Sequence, residues 1–427
     1  MSKFQIVLLA FFGVFILLGV GVFSFYKGST GTQATVTIWG SFTVSDFNLF
    51  LNQSVLAQDN KLVINYIEKP ADTIEAEFTE ALARGTGPDL IIISENQLWQ
   101  VKSKLMTIPF ESISQRDFEN AFVEGGEIFL GQEGVYALPL IIDPLVLYYN
   151  RDHLSAGGFA RPLAYWDELY AATTKLAKRD KAGNITQSAI ALGETRNIPH
   201  AKDILSLLLL QAGTSITTLL GDDLTSSLTD DYDLPIMPGD AALEFYTQFS
   251  NPSKPYFSWN RTQPLAQTHF TSGDSAYYLG FASELTTLKR KSPTLNIGVA
   301  LVPQSRVGGK TITTGRIYGT ALSRAAKNPA AALKAALAIG SKEHAATLSE
   351  ILRLPPARRD LLLVKPTDAS GPVFYDAALQ TRSWLDPNPV ATDEIWREMV
   401  EAVTSGRART FEALNDANKK LDALTND

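Results

Sequence analysis

The chain has 427 residues, of which 45% are hydrophobic and 19% are charged, with a formal net charge of −7 and no cysteine. This composition is close to that of soluble globular proteins and excludes disordered and fibrous classes. The acidic balance argues against nucleic acid as a partner, because phosphate contacts need a basic footprint. The lack of cysteine excludes disulfides, thiolate metal sites, thiol nucleophiles and the acylated cysteine of a lipoprotein.

The N-terminal segment 1–33 differs from the rest of the chain, because residues 4–26 are almost entirely apolar. A helix of that length measures about 35 Å and is long enough for a hydrocarbon core of roughly 30 Å. A cleaved signal peptide has a shorter apolar stretch and a small-residue cleavage site, so we expect an uncleaved transmembrane anchor. Two positive groups, Lys3 and the terminal amine, precede the apolar run, and one, Lys27, follows it. This bias predicts a single-pass protein of the cell membrane, with its folded body on the extracytoplasmic side.

From residue 34 onward, strand and helix patterns alternate. In chain order we predict a strand at Thr35–Trp39, a helix at Ser45–Asp59, a strand at Leu62–Ile67, a helix at Thr73–Arg84 and a buried strand at Asp89–Ile93. Such alternation is typical of an α/β sheet with crossover helices.

The middle of the chain is more helical and predicts a second lobe. Apolar residues recur at helical spacing in residues 165–178, 202–212, 239–250 and 264–272. Strand patterns then return at 276–279, 297–301 and 317–322, followed by helices at 329–339, 342–353, 393–405 and 410–424. Asn328 before Pro329 is a helix start signal.

No motif for catalysis or for metal ligation is complete. The run Gly308 to Thr311 lacks the upstream glycine of a phosphate-binding loop, because Gln304 stands there. The acidic residues between 222 and 233 lack the central glycine and distal glutamate of a calcium loop, and the four histidines form no i, i+4 pair. We therefore predict no enzyme, no metal and no cofactor, although a carboxylate pair for glycoside hydrolysis would form only on folding.

Several fragments carry a family resemblance, and they occur in one order along the chain. The run Ala81 to Asp89 ends a helix, turns through glycine and enters a buried strand. The others are Tyr136-Ala-Leu-Pro139, Leu147-Tyr-Tyr-Asn150, Trp166-Asp-Glu-Leu169, Phe270 to Gly273, Ile297 to Pro303, Lys327-Asn-Pro329, Leu354 to Arg358 and Ser405-Gly406. Together they resemble bacterial extracellular solute-binding proteins, the maltose-binding-protein-like receptors of ABC importers. The chain departs from that pattern in having no lipoprotein cysteine.

The resemblance implies a two-lobe, periplasmic-binding-protein-like α/β fold, with hinged lobes joined by crossover strands and a ligand in the cleft between them. The first lobe is expected to contain 34–138 and 282–340, and the second 139–281 and 341–427. The implied function is capture of a small solute, expected to be a carbohydrate, for delivery to ABC permease subunits by a monomeric receptor. The alternative is a sensor or adhesion protein with the same fold, which the uncleaved anchor favours.

Candidate cleft residues at the ends of strands follow from the rule that ligands bind at the carboxyl ends of strands in open α/β sheets. These are Gly40, Ser41 and Phe42 after the first strand and Ser94 and Glu95 after the third. Gly40 equally fits a role limited to the turn, and Glu95 fits a charge favoured by a helix N-terminus.

Further candidates lie in the crossover segments and in loops. Asp143 occupies the crossover where sugar-binding members of the family carry an acidic residue. Phe281 and Glu284 follow the strand at 276–280, where the family often places aromatic platforms, although a structural role fits equally well. Arg316 and Tyr318 lie next to a predicted strand. Trp259 and Trp384 lie in loops, where an aromatic side chain is costly to expose without a function.

Overall fold

The structure is a computed structural model, and it describes residues 33–54, 56, 62–306 and 310–425. The apolar run at 4–26, with the predicted transmembrane anchor, lies outside these residues. Within the described ranges, no helix is long and apolar enough to cross a membrane.

In the described part of the chain, one large sheet organises the fold, and three two-stranded sheets accompany it. The strands are β1 Ala34–Gly40, β2 Leu62–Glu68, β3 Leu90–Ser94, β4 Leu105–Met106, β5 Ile108–Pro109, β6 Gly134–Val135, β7 Ala137–Asn150, β8 Lys178–Arg179, β9 Ile185–Gln187, β10 Thr217–Leu220, β11 Asp223–Ser226, β12 Tyr277–Phe281, β13 Ile297–Ala300, β14 Thr313–Ser323 and β15 Thr381–Arg382.

Helices cover the sheet and build most of the second lobe. They are α1 Val44–Gln53, α2 Ile74–Ala83, α3 Leu98–Val101, α4 Gln115–Ala121, α5 Arg151–Ala156, α6 Glu168–Leu176, α7 Ala201–Ala212, α8 Pro238–Thr247, α9 Ala266–Thr271, α10 Leu285–Lys291, α11 Pro329–Ile339, α12 Lys342–Leu352, α13 Arg359–Leu362, α14 Gly371–Gln380, α15 Pro389–Thr404 and α16 Thr410–Thr425.

The order of strands in the large sheet is β12-β7-β14-β3-β1-β2. β1 is parallel to β2 and β3, whereas β14 runs antiparallel to β3 and β7. Every residue of β7 is buried, and the strand belongs to both lobes. Its first part, up to Pro144, pairs with β14, and its second part, from Leu145, pairs with β12 and β13. The predicted two-lobe α/β fold is thereby confirmed, with β7 and β14 as crossover strands.

Local signals placed most of the elements correctly. The strands predicted from residue 35, from residue 62 and from residue 89 match β1, β2 and β3 to within one residue at each end. The Asn328 side chain accepts a hydrogen bond from the Ala331 N–H and caps α11, with Pro329 in the first turn, as predicted. The helix predicted to reach Asp59 ends at Gln53, because Ser54 has an extended backbone.

The division of the chain between the lobes differs from the expected one. After β12, residues 282–306 remain with the second lobe, since β13 pairs with the second part of β7 and the Gln304 N–H donates to the Ala164 carbonyl. The first lobe resumes with β14. Helix α12 still packs on α1, where the rings of His344 and Phe50 lie 6.2 Å apart. Only after β15 do α15 and α16 cover α8 in the second lobe.

Candidate ligand-binding cleft

The crossover strands β7 and β14 form the base of the cleft. Arg316 is paired with Asp143 across the antiparallel ladder, which places both side chains on one face of the sheet. Tyr318 follows two residues later on the same face, and its ring lies 5.2 Å from that of Phe42. The guanidinium carbon of Arg316 lies 4.0 Å from the centroid of the Phe281 ring. Folding therefore brings these five predicted residues together.

Asp143 connects a crossover strand to the second lobe. Its carboxylate is buried and accepts hydrogen bonds from the Ser283 N–H at 2.9 Å and from the Ser283 hydroxyl at 2.6 Å. Burial raises the pKa of Asp143, and the bonds to Ser283 and the charge of Arg316 oppose that shift. The carboxylate is thus an acceptor held at the junction of the two lobes.

Glu95 lies where β3 ends, at the edge of the first lobe that faces the cleft. Its carboxylate accepts the Ile317 N–H at 2.6 Å and the Ser383 hydroxyl at 3.2 Å. Burial raises the pKa of Glu95 to about 7, although these hydrogen bonds act to lower it. The preceding residue Ser94 has a local role, because its N–H and hydroxyl bond to Gln97 and Asn96.

Glu284 is held inside the second lobe. Its carboxylate accepts from the Phe281 N–H and the Tyr278 hydroxyl, and it lies 2.7 Å from the His200 ring nitrogen. Gln267 donates to it as well. Burial favours the neutral acid, but the hydrogen bonds and the electrostatic interaction with His200 lower the pKa of Glu284. This geometry matches the structural alternative that the sequence left open.

The glycine turn after β1 also has a structural explanation. A Cβ atom at Gly40 would lie 2.9 Å from the Tyr66 hydroxyl oxygen and 3.2 Å from Cβ of Ile92. The same hydroxyl donates to the Phe42 carbonyl at 2.7 Å and holds the loop in place. Gly40 therefore permits close packing, while Ser41 is the half-exposed member of this loop.

The prediction that Trp259 lines the cleft is wrong. Its side chain is fully buried in the second lobe, its indole N–H donates to Asn197 at 3.0 Å, and its ring lies 5.1 Å from that of His269. Asn197 also donates to the carbonyls of Asn260 and Gln263 and folds the loop inward. A loop position in the sequence did not mean exposure here.

Trp384 is buried in the second lobe, next to charged residues that the sequence analysis missed. Its ring stacks on Trp396, with centroids 5.5 Å apart, and the Lys202 ammonium lies 5.6 Å from the Trp384 centroid. Lys202 also donates to Asp386, whose carboxylate is 1% exposed. Burial raises the pKa of Asp386, and Lys202 opposes the shift.

Glu75 of the first lobe is electrostatically coupled to this group. Burial raises its pKa to about 7, its side chain bonds to Gln97, and it interacts electrostatically with Asp386 and Lys202. The carboxyl-end rule, applied to the chain that follows β2, would have found Glu75 in the sequence. No local signal marked Lys202 or Asp386. Among the described residues, no group of His, Asp and Glu is placed to hold a metal ion.

Comparison with known proteins identifies the family and shows a similar fold. A sequence profile of the bacterial extracellular solute-binding proteins matches residues 54–373. The fold is similar to a cyclo/maltodextrin-binding protein complexed with maltotetraose, with a TM-score of 0.74, 16% identity and coverage of 92% of this chain and 98% of that one. It is also similar to the GacH receptor of Streptomyces glaucescens, with a TM-score of 0.70, 19% identity and coverage of 92% and 98%.

Sequence relatives match a shorter region. A binding protein of Brucella abortus is 27% identical over 124 residues, which are 28% of this chain and 29% of that protein. The matched region is therefore less than a third of that relative's length. The family match confirms the resemblance inferred from the sequence, and with it the prediction that the chain is a binding protein rather than an enzyme.

Proposed function

The chain belongs to the family of bacterial extracellular solute-binding proteins, and on that premise we propose that it captures a carbohydrate between its two lobes. The observation that carries this proposal is that groups from both lobes meet at the crossover strands, where Arg316 pairs with Asp143 and its guanidinium carbon lies 4.0 Å from the centroid of the Phe281 ring. Glu75 of the first lobe also interacts electrostatically with Asp386 and Lys202 of the second. Similar folds were solved with maltotetraose and with acarbose, which agrees with a sugar ligand.

The chemistry of these groups suits a neutral sugar. Carboxylates accept hydrogen bonds from hydroxyl groups, and indole rings pack on the C–H faces of a pyranose. A phosphate ester would instead need cations that are free to pair with it. Lys202 is already engaged by Asp386, and Arg316 lies over Phe281 while it attracts the Asp143 carboxylate. A neutral sugar is therefore the better match.

We further propose that the N-terminal segment anchors the body on the extracytoplasmic face of the cell membrane. The apolar run at 4–26 and its flanking lysines support this placement. In this arrangement a monomeric receptor delivers its sugar to ABC permease subunits, the role implied by the family. Loss of sugar uptake in cells that lack the chain is the expected result, whereas unchanged uptake would favour a sensor.

The test of the binding function is the thermal midpoint of the refolded protein against sugars, polyols, amino acids and phosphate esters. A ligand at 100 times its dissociation constant stabilises the folded state by about 2.7 kcal/mol. We expect stabilisation by a sugar, with weaker binding in Glu75→Gln. A matched control is Glu398→Gln, a carboxylate on α15 that pairs with Lys420 and not with a cleft residue. Stabilisation by amino acids or phosphate esters alone would contradict the proposal.

A further inference from the structure

The first lobe carries charges of opposite sign at the two ends of its parallel strands β1, β2 and β3. At the carboxyl edge, where these strands end and the cleft lies, the charged side chains are mainly acidic. They are Asp46 in the first turn of α1, Glu68 at the end of β2, Asp72 before α2, Glu75 and Glu77 in its first turn, and Glu95 after β3. The cation Lys69 among them is already paired with Glu77. The carboxyl edge is therefore negative.

The amino edge of the lobe, where the same strands begin, carries exposed cations instead. The buried carboxylate of Asp89 lies at the centre of this edge, since it accepts the N–H of Thr37 in β1 and the N–H of Lys327 after β14. Arg324 directly follows β14, whose last N–H donates to the Asp89 carbonyl. Arg84 ends α2 five residues before Asp89. The side chains of Arg84, Arg324 and Lys327 are all exposed.

Two of these three cations have no carboxylate partner. Within the described residues, Arg324 and Lys327 form no ion pair, whereas Arg84 pairs with Glu80 at 3.1 Å. Asp89 is 3% exposed, and its two carboxylate oxygens both accept backbone N–H groups. The exposed charge of the amino edge is therefore mainly positive, although the whole chain has a net charge of −7.

The N-terminal segment joins the body at the amino edge. β1 begins at Ala34, three residues before Thr37, and three residues of a strand span about 10 Å. Lys27, which follows the apolar run, is seven positions before Ala34, and a chain of that length spans about 25 Å at most. With the apolar run in a bilayer, as proposed above, the amino edge is kept within reach of the lipid headgroups.

We propose that the amino edge of the first lobe docks on anionic lipid headgroups, with Arg324 and Lys327 next to the phosphate groups and the cleft directed away from the bilayer. This inference rests on the proposed membrane anchor and not on the identity of the solute. An anionic membrane attracts lysine and arginine side chains within about one Debye length of its surface, roughly 8–10 Å. The five residues of β3 span about 16 Å between the two edges, so the acidic carboxyl edge stays beyond that range.

The experiment measures how far each edge lies from the bilayer. Because the chain has no cysteine, Ala325→Cys places a single fluorescent label at the amino edge and Ala71→Cys places one at the carboxyl edge, and both alanines are exposed. The full-length chain is reconstituted in vesicles whose headgroups carry an acceptor dye, and energy transfer reports each distance. In vesicles of equal parts phosphatidylcholine and phosphatidylglycerol, we expect the amino-edge label to lie about 15 Å closer to the headgroups than the carboxyl-edge label.

Charge is then removed in two ways. Most of the difference between the labels is expected to disappear in vesicles of phosphatidylcholine alone, and also at a salt concentration of about 1 M, where the Debye length is about 3 Å. Arg324→Gln combined with Lys327→Gln should have the same effect. The matched control is Lys181→Gln combined with Lys254→Gln, which removes two exposed cations of the second lobe and should keep the difference. The salt and lipid comparisons need no charge variant, so the test stands even where the double variant does not fold.

The outcomes separate the docking from the anchor. Equal distances for the two labels in anionic vesicles, or the same difference in anionic and neutral vesicles, would overturn the docking while the anchor stands. A full-length chain that stays with neither kind of vesicle would overturn the anchor and the docking with it. Carbohydrate binding is measured separately, by the thermal midpoint, and neither result changes it.

Discussion

Arg316 lies with its guanidinium carbon 4.0 Å from the centroid of the Phe281 ring, so that a crossover strand contacts the second lobe at the base of the cleft. The same cation attracts the buried carboxylates of Asp143 and Glu95. One side chain thus balances two negative charges and packs on an aromatic ring at the junction on which the lobes turn.

Replacing Arg316 by alanine is expected to destabilise the protein by about 1–3 kcal/mol, because two buried carboxylates lose their cation. Arg316→Lys keeps the charge and should recover part of that loss. The measurement is the free energy of unfolding from urea titration at pH 7. Equal stability of the wild-type protein and Arg316→Ala would show that the cation does not balance these carboxylates.

Glu95 predicts a pH dependence of stability. Burial raises its pKa to about 7 in the folded protein, from 4.5 for an exposed glutamate, so the folded state binds the proton more tightly. The stabilisation that Glu95 gives the folded state is complete below about pH 4.5 and is lost as the pH rises through about 7. We expect the free energy of unfolding to fall by about 1–3 kcal/mol on this account between pH 5 and 8.

Glu95→Gln should flatten this dependence, since the amide still accepts the Ile317 N–H but does not titrate. In this variant the free energy of unfolding still falls somewhat with rising pH, because burial also raises the pKa of Glu75 to about 7. Glu398→Gln should keep the wild-type slope. An unchanged slope in Glu95→Gln would show that the carboxylate is not protonated in the folded protein near neutral pH.

Asp143→Asn is expected to weaken sugar binding about tenfold, because a charged acceptor at the base of the cleft becomes a neutral one. Ser283→Ala is the informative companion, since Ser283 donates to both oxygens of the Asp143 carboxylate. A loss in Asp143→Asn that Ser283→Ala does not share would indicate direct ligand contact. Titration calorimetry with the sugar found in the thermal screen measures both variants, and unchanged affinity in Asp143→Asn contradicts the prediction.

Trp259→Ala should separate stability from binding. Removing a fully buried indole costs about 3–5 kcal/mol. The protein that remains folded should bind sugar with wild-type affinity, because Trp259 packs inside the second lobe. The milder Trp259→Phe keeps a ring and serves where the alanine variant does not fold. A change of sugar affinity in Trp259→Phe without loss of stability would place this residue back at the cleft.

Much of the fold followed from local patterns in the sequence. The buried strand after Asp89 is set by a run of apolar residues, and the start of α11 by Asn328 and Pro329. Asp143 was found as a cleft-base residue through the family resemblance and its place in the crossover. The positions at which the chain passes from one lobe back to the other were not predictable in this way. They depend on which part of β7 pairs with β13.

The charged side of the cleft was missed for a different reason. Lys202 and Asp386 are 184 residues apart in the sequence, and only tertiary packing brings them together. Trp259 and Trp384 are both loop tryptophans and both are buried, but Trp384 lies beside the Lys202 ammonium whereas Trp259 is fully enclosed. Local composition does not show that the side chain of a loop residue folds inward.

The measurement that tests the account most directly is hydrogen–deuterium exchange of the protein with and without the sugar that stabilises it. The account predicts slower exchange at both edges of the cleft, in residues 94–99 of the first lobe and in residues 200–203 and 383–386 of the second. Protection limited to one lobe, or to the outer face of α15 and α16, would contradict capture of a carbohydrate between the lobes.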